Sequence, residues 1–152
     1  MLKEAVLKQV QGVTFVGKGA SNHWVVMDGG LEFGGSMAGS TPKELLLIAL
    51  AGCTASDVIP ILKKKRVDLR GFEIHVKAND RDEHPKIFTD IQVEYVFHGE
   101  ALNPKDLERA IELSTTKYCS VSAILKASAP IKYSYRIETP VKLSAPVSES
   151  EI

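Results

Sequence analysis

Short stretches of alternating apolar and polar residues flank one long apolar run near the middle of the chain. Lys3–Gln11, Val13–Val16 and His23–Met27 read as strands of an N-terminal meander, closed by the turn residues Asp28-Gly29-Gly30. Gly34-Gly35-Ser36-Met37-Ala38-Gly39 has no period and reads as a loop leading into a helix. Thr41 as N-cap, Pro42 at the first helical position and Glu44 three residues after the cap make a capping box for that helix. From Leu45 to Gly52 it is apolar on every face, which predicts enclosure by protein on all sides and, in so short a chain, a partner subunit. Lys63-Lys64-Lys65-Arg66 puts positive charge at the helix C-terminus, and Pro60 is expected to kink or interrupt the helix before it.

Farther on, Phe72, Ile74 and Val76 alternate with polar residues, as do Ile91, Val93, Tyr95 and Phe97, predicting an antiparallel pair joined by the charged loop Asn79–Pro85. Asn103-Pro104 opens a second helix with Leu107, Ala110, Ile111 and Ser114 facing inward. A short third helix is expected from Cys119 or Ser120 through Leu125, and Ile131, Tyr133, Tyr135 and Ile137 mark a last strand. Helices grouped between runs of strands predict an α+β class: a single domain over residues 1–138, then a polar tail at 139–152 that is mobile or draped over the surface.

Composition narrows the function. At 152 residues and 44% apolar content, a core forms without disulfide or metal staples. Lys+Arg and Asp+Glu balance at 19 each, which leaves no surplus charge for nucleic acid or a membrane surface. Charges within the N-terminal apolar stretch argue against a secretory signal. The longest unbroken apolar run, Leu45–Ala51, falls short of the ~20 residues of a membrane span. A cytoplasmic location is therefore expected. In a reducing compartment two cysteines are expected to be free, buried or redox-active rather than permanently bridged.

Those cysteines are the main chemical candidates. Cys53 lies mid-helix in Ala51-Gly52-Cys53-Thr54-Ala55-Ser56-Asp57, where small neighbours leave room around the sulfur. Cys119 stands at the start of a helix, where free N–H groups and the helix dipole favour a thiolate, with Lys117 pushing the same way. Inert packed thiols remain the alternative for both. As a pair they suit a scheme in which one becomes a sulfenic acid and the other condenses with it to a disulfide. Asp57, four residues after Cys53 on the same helix face, would raise the thiol pKa. His23, His75, His84 and His98 share no metal-ligand spacing, and Asp80, Asp82, Glu83 and Asp90 lack the pattern of a calcium loop. Neither a metal nor another cofactor is expected, and Gly34, Gly35 and Gly39 do not form a phosphate-binding loop.

With these elements in place, Gly39–Cys53, with its Thr41-Pro42-Lys43-Glu44-Leu45 cap, resembles the cysteine-bearing helix of OsmC/Ohr proteins, and Tyr118-Cys119-Ser120-Val121 resembles their second cysteine motif. The order of elements agrees over roughly Lys3–Glu138. The resemblance implies an OsmC-like fold, with antiparallel sheets packed around long buried helices in an intertwined homodimer. It implies that Cys53 is the peroxidatic and Cys119 the resolving cysteine in reduction of an organic hydroperoxide by a dithiol. Two departures follow. The family's peroxidases use an arginine from the N-terminal region and a glutamate directly after the capping proline, but here Lys43 follows Pro42 and no arginine precedes Arg66. Glu44 is one place later. At ~1.5 Å per residue, Lys43 and Glu44 lie roughly 15 and 13 Å along the axis from Cys53, so within one straight helix neither touches it. Lys43, Glu44 and Asp57 are the expected modulators, and Lys18 or Lys43 is left to substitute for the arginine as a cation. The second reading is a non-catalytic protein of the same fold that binds a small apolar or thiol-containing molecule at the dimer interface.

Overall fold

The computed structural model describes residues 2–139; the expected tail, apart from Thr139, lies outside the described residues. Strands β1 (Ala5–Gln11), β2 (Thr14–Gly19) and β3 (Val25–Asp28) pair antiparallel in the order β1-β2-β3, as the meander pattern predicts. A 3-10 turn at Leu31–Phe33 precedes the glycine-rich loop. That loop is organised by Asp28, whose buried carboxylate was not anticipated. Its Oδ2 accepts from Ser36 N (2.9 Å), Ser36 Oγ (2.8 Å) and Ala38 N (3.0 Å), and Oδ1 accepts from Gly29 N (2.8 Å). The Ala38 N–H, followed by the Ser36 N–H, holds the carboxyl down at about 2. Glycine is required at position 35, because a Cβ there would lie 1.9 Å from the Gly29 carbonyl oxygen.

Helix α1 (Pro42–Lys64) begins at the expected capping box: Glu44 Oε2 accepts from Thr41 N (2.6 Å), and Thr41 Oγ1 accepts from Glu44 N (3.3 Å). Of the kink or interruption expected at Pro60, the interruption does not occur, and the helix runs through it. Both Pro60 and Ser56 are exposed, so water can serve the Ser56 carbonyl that the proline cannot reach. Enclosure on all faces also fails within the single chain. The buried residues are Leu50, Thr54, Val58 and Leu62, one stripe at four-residue spacing, while Leu46 is 45% and Ile48 56% exposed. By length and composition alone α1 could cross a membrane, although its unbroken apolar run is short. The buried stripe, with the polar Thr54 at its centre, is consistent with a core helix.

One compact unit of the chain runs to Ala49 and a second begins at Leu50. In the second, β4 (Gly71–Asp80) and β5 (Phe88–His98) form the predicted antiparallel pair, and β6 (Ile131–Glu138) adds to β5. Here the expectation of antiparallel sheets needs correction, because β6 runs parallel to β5. Between them the chain passes through α2 (Pro104–Leu113), a π-helical turn (Ser114–Tyr118) and α3 (Ser120–Lys126), a crossover long enough to return it to the end where β5 began. Asn103 caps α2, its side chain accepting from Lys105 N at 3.1 Å. Leu107, Ala110 and Ile111 pack inward as predicted, and Ile91, Val93, Tyr95 and Phe97 form the buried face of β5. Helices between sheets confirm the α+β class.

Candidate functional site

Every residue of the site belongs to the second unit. Cys53 lies half-buried on α1, and Cys119 is the N-cap of α3, only 4% exposed. Both are free thiols, and they are neighbours, close enough for the Cys53 side chain to act on the ionisation of Cys119. Residues separated by most of the second unit's sequence thus meet. Cys119 Sγ accepts from Ser122 N at 3.4 Å, and Ser122 Oγ bonds in turn to Tyr133 OH.

The local sequence pointed to a thiolate at Cys119, and the site reverses that expectation. Burial pushes the thiol from the ordinary 9.0 up to about 11, outweighing the Ser122 N–H that pulls the other way. Contact with Cys53, then the charge of Asp57, raises it further. Lys117 lies with its ammonium 5.2 Å from the centre of the Tyr118 ring. At neutral pH Cys119 is therefore a protonated thiol.

Beside the thiols runs a chain of hydroxyls that sequence reasoning missed. Thr54 Oγ1 lies 2.7 Å from Tyr95 OH and 2.8 Å from Ser114 Oγ, and Ser114 Oγ donates to Asp57 Oδ2 at 2.9 Å. Each hydroxyl has one proton, so its direction follows: Ser114 spends its proton on Asp57 and accepts from Thr54, which accepts from Tyr95. Burial raises the Tyr95 phenol, keeping it a donor. Two weak signals for this chain were present in the sequence. Thr54 and Asp57 are three residues apart on one helix face, and tyrosines on core-facing strand positions need partners for their hydroxyls.

Of the expected modulators, only Asp57 joins the cysteines. Its carboxylate faces Ser114, and its charge is felt at Cys119. Glu44 is held in the capping box of α1, with Lys43 beside it in the first turn. No group of three or more His, Cys, Asp or Glu side chains suited to a metal occurs among the described residues.

Comparison with known proteins bears on the family and the fold. Residues 34–134 match the family model described as OsmC-like protein. The chain is 39% identical over 134 residues to Protein YhfA of Escherichia coli strain K12, covering 88% of this chain and 97% of that protein. A hypothetical protein from Aquifex aeolicus VF5 superimposes with a TM-score of 0.81 at 35% identity, covering 92% of this chain and 98% of that one. An organic hydroperoxide resistance protein OsmC from Legionella pneumophila shares the fold, with a TM-score of 0.63 at 16% identity over 89% of this chain and 96% of its own. By the family match and the identity to its relatives, this chain belongs to the OsmC-like protein family.

Proposed function

We propose that the chain is a homodimeric thiol peroxidase that reduces organic hydroperoxides through Cys53, with Cys119 as the resolving cysteine. The observation that carries this reading is the contact between two free thiols, one half-buried and one deep, in a fold shared with proteins named for organic hydroperoxide resistance. The Cys53 thiolate attacks the terminal peroxide oxygen and the O–O bond breaks. The alkoxide takes up a proton and leaves as the alcohol, and Cys53 becomes a sulfenic acid. Cys119 then attacks the Cys53 sulfur, water leaves, and a disulfide remains for an external dithiol to reduce. The high basicity of Cys119 suits this order, because a protonated resolving thiol does not compete for peroxide.

Dimerisation is supported by apolar surface that the single chain leaves uncovered. Leu46 and Ile48 are exposed on α1, and the N-terminal unit has an open groove of about 560 Å³ lined by Val6, Leu7, Val25, Met27, Leu45 and Ile48. Light scattering of wild type and Ile48→Glu tests the dimer; a wild-type monomer would refute it. Hydroperoxide consumption with a dithiol donor, in wild type and Cys53→Ser, tests the chemistry. The expected result is turnover in wild type and its loss in the variant, whereas equal negligible rates sink the reading. Binding without turnover is the second reading, favoured by the absence of any arginine before Arg66. Native mass spectrometry with a bound apolar or thiol compound, in a protein inert to peroxide, would establish it.

A further inference from the structure

We propose that Asp57 is a positioning residue for Cys119, acting through Ser114 to hold the π-helical turn that presents the resolving thiol to Cys53. The inference rests on the pairing of the two cysteines argued above, but not on peroxide being the oxidant.

Ser114 is the joint between the two halves of the site. Its side chain is fully buried and fastened twice to α1, donating to Asp57 Oδ2 at 2.9 Å and accepting from Thr54 Oγ1 at 2.8 Å. On α1, Thr54 directly follows Cys53 and Asp57 stands one turn after it. Its main chain is fastened to the other cysteine, because the Ser114 carbonyl accepts the Cys119 N–H at 2.8 Å. One residue therefore ties the Cys119 backbone to the helix carrying Cys53. The bond from Cys119 N to Ser114 O spans five residues and defines the π turn, a geometry rarely adopted unless the surroundings impose it. Relaxation to the ordinary helical register would rotate the following residue by about 100° around the axis and carry the thiol away from its partner. From the far side, Lys126 Nζ donates to the Thr115 carbonyl at 2.8 Å, closing α3 onto the same turn. Nothing local in Ser114-Thr115-Thr116-Lys117-Tyr118 demands a π turn, so the tie to Asp57 supplies what the turn sequence lacks.

The test measures disulfide closure with glutathione disulfide. The Cys53 thiolate attacks glutathione disulfide, forming a mixed disulfide and releasing one glutathione. The Cys119 thiolate then attacks the Cys53 sulfur, and the second glutathione leaves as a thiolate that takes up the proton Cys119 released. Two electrons pass from the cysteine pair to glutathione disulfide. The effective concentration of Cys119 at Cys53, read from redox titrations of the full chain, is expected to fall about 10- to 100-fold in Asp57→Ala, the range of a lost charge-assisted hydrogen bond. Ser114→Ala should fall alike, and the double variant no further than either single one. Asp57→Asn keeps an acceptor oxygen for Ser114 and should restore most of the loss. Wild-type closure in Asp57→Ala overturns the proposal, as does Asp57→Asn falling as far as Asp57→Ala, which would make the charge rather than the tie responsible. Should Asp57→Ala not fold, Ser114→Ala and Asp57→Asn decide by the same criteria. A wild type that closes with glutathione disulfide but consumes no hydroperoxide refutes the proposed function alone, whereas one that never closes refutes this inference.

Discussion

In the Cys53→Ser variant, Cys119 is the only thiol, and its reactivity reports directly on its burial. Its pKa in the native wild type is about 11 against an ordinary 9.0, and the largest cause, burial, survives the substitution. With the smaller Cys53 contribution removed, a pKa of at most about 11 against 9.0 leaves up to about 100-fold less thiolate at neutral pH. The more basic thiolate is also the better nucleophile, and with a Brønsted slope of about 0.4–0.5 this recovers roughly 6- to 10-fold. Native Cys119 in this variant should therefore react with an aromatic disulfide up to roughly 10- to 15-fold more slowly than the same residue in urea-unfolded protein, before any hindrance from its burial. Stopped-flow absorbance of the released aromatic thiolate across pH 7–10.5 measures both rates. The native rate should keep climbing about tenfold per pH unit beyond the point near 9 where the unfolded rate levels off. A native rate that matches the unfolded one, or levels off below pH 9, would refute the reasoning: the helix start and the Ser122 N–H would then outweigh burial.

Three further outcomes follow from the same contacts. Asp28 has its carboxyl depressed from 3.8 to about 2, so it stabilises the fold above the ordinary value and that contribution is lost as pH falls towards 2. Asp28→Asn should melt lower than wild type at neutral pH, and the gap should narrow between pH 4 and 2; a gap independent of pH contradicts the assignment. Tyr95→Phe removes the donor at the head of the hydroxyl chain and should cost about 1–2 kcal/mol in denaturant unfolding, with loss of less than half that amount indicating that Thr54 finds another partner. Leu50→Ala empties a fully buried position on the core stripe of α1 and should cost about 2–5 kcal/mol, checked by the same unfolding curves; a cost below 1 kcal/mol would place Leu50 outside the core.

What could be read from the sequence divides according to the range of the forces involved. The capping box of α1 lies within four consecutive residues, and the strand faces follow from alternation along one segment, so both were visible without a structure. The direction of β6 depends on the path of a crossover through two helices, which alternation within β6 cannot encode. Uniformly apolar faces on α1 likewise concealed which stripe the chain itself buries and which it leaves exposed. At the site, the contrast becomes chemical. The position of Cys119 at a helix start was visible, and every local cue there favoured a thiolate. Its ionisation is instead set chiefly by burial, with Cys53 and Asp57 from a distant helix adding to it, and the hydroxyl chain is just as non-local, Tyr95 and Ser114 lying 41 and 60 residues from Thr54. In a helix of only seven residues the N-terminal dipole is weak, whereas removal of water from the sulfur is almost complete. Burial wins, so a cysteine motif can locate the thiol while misjudging its reactivity.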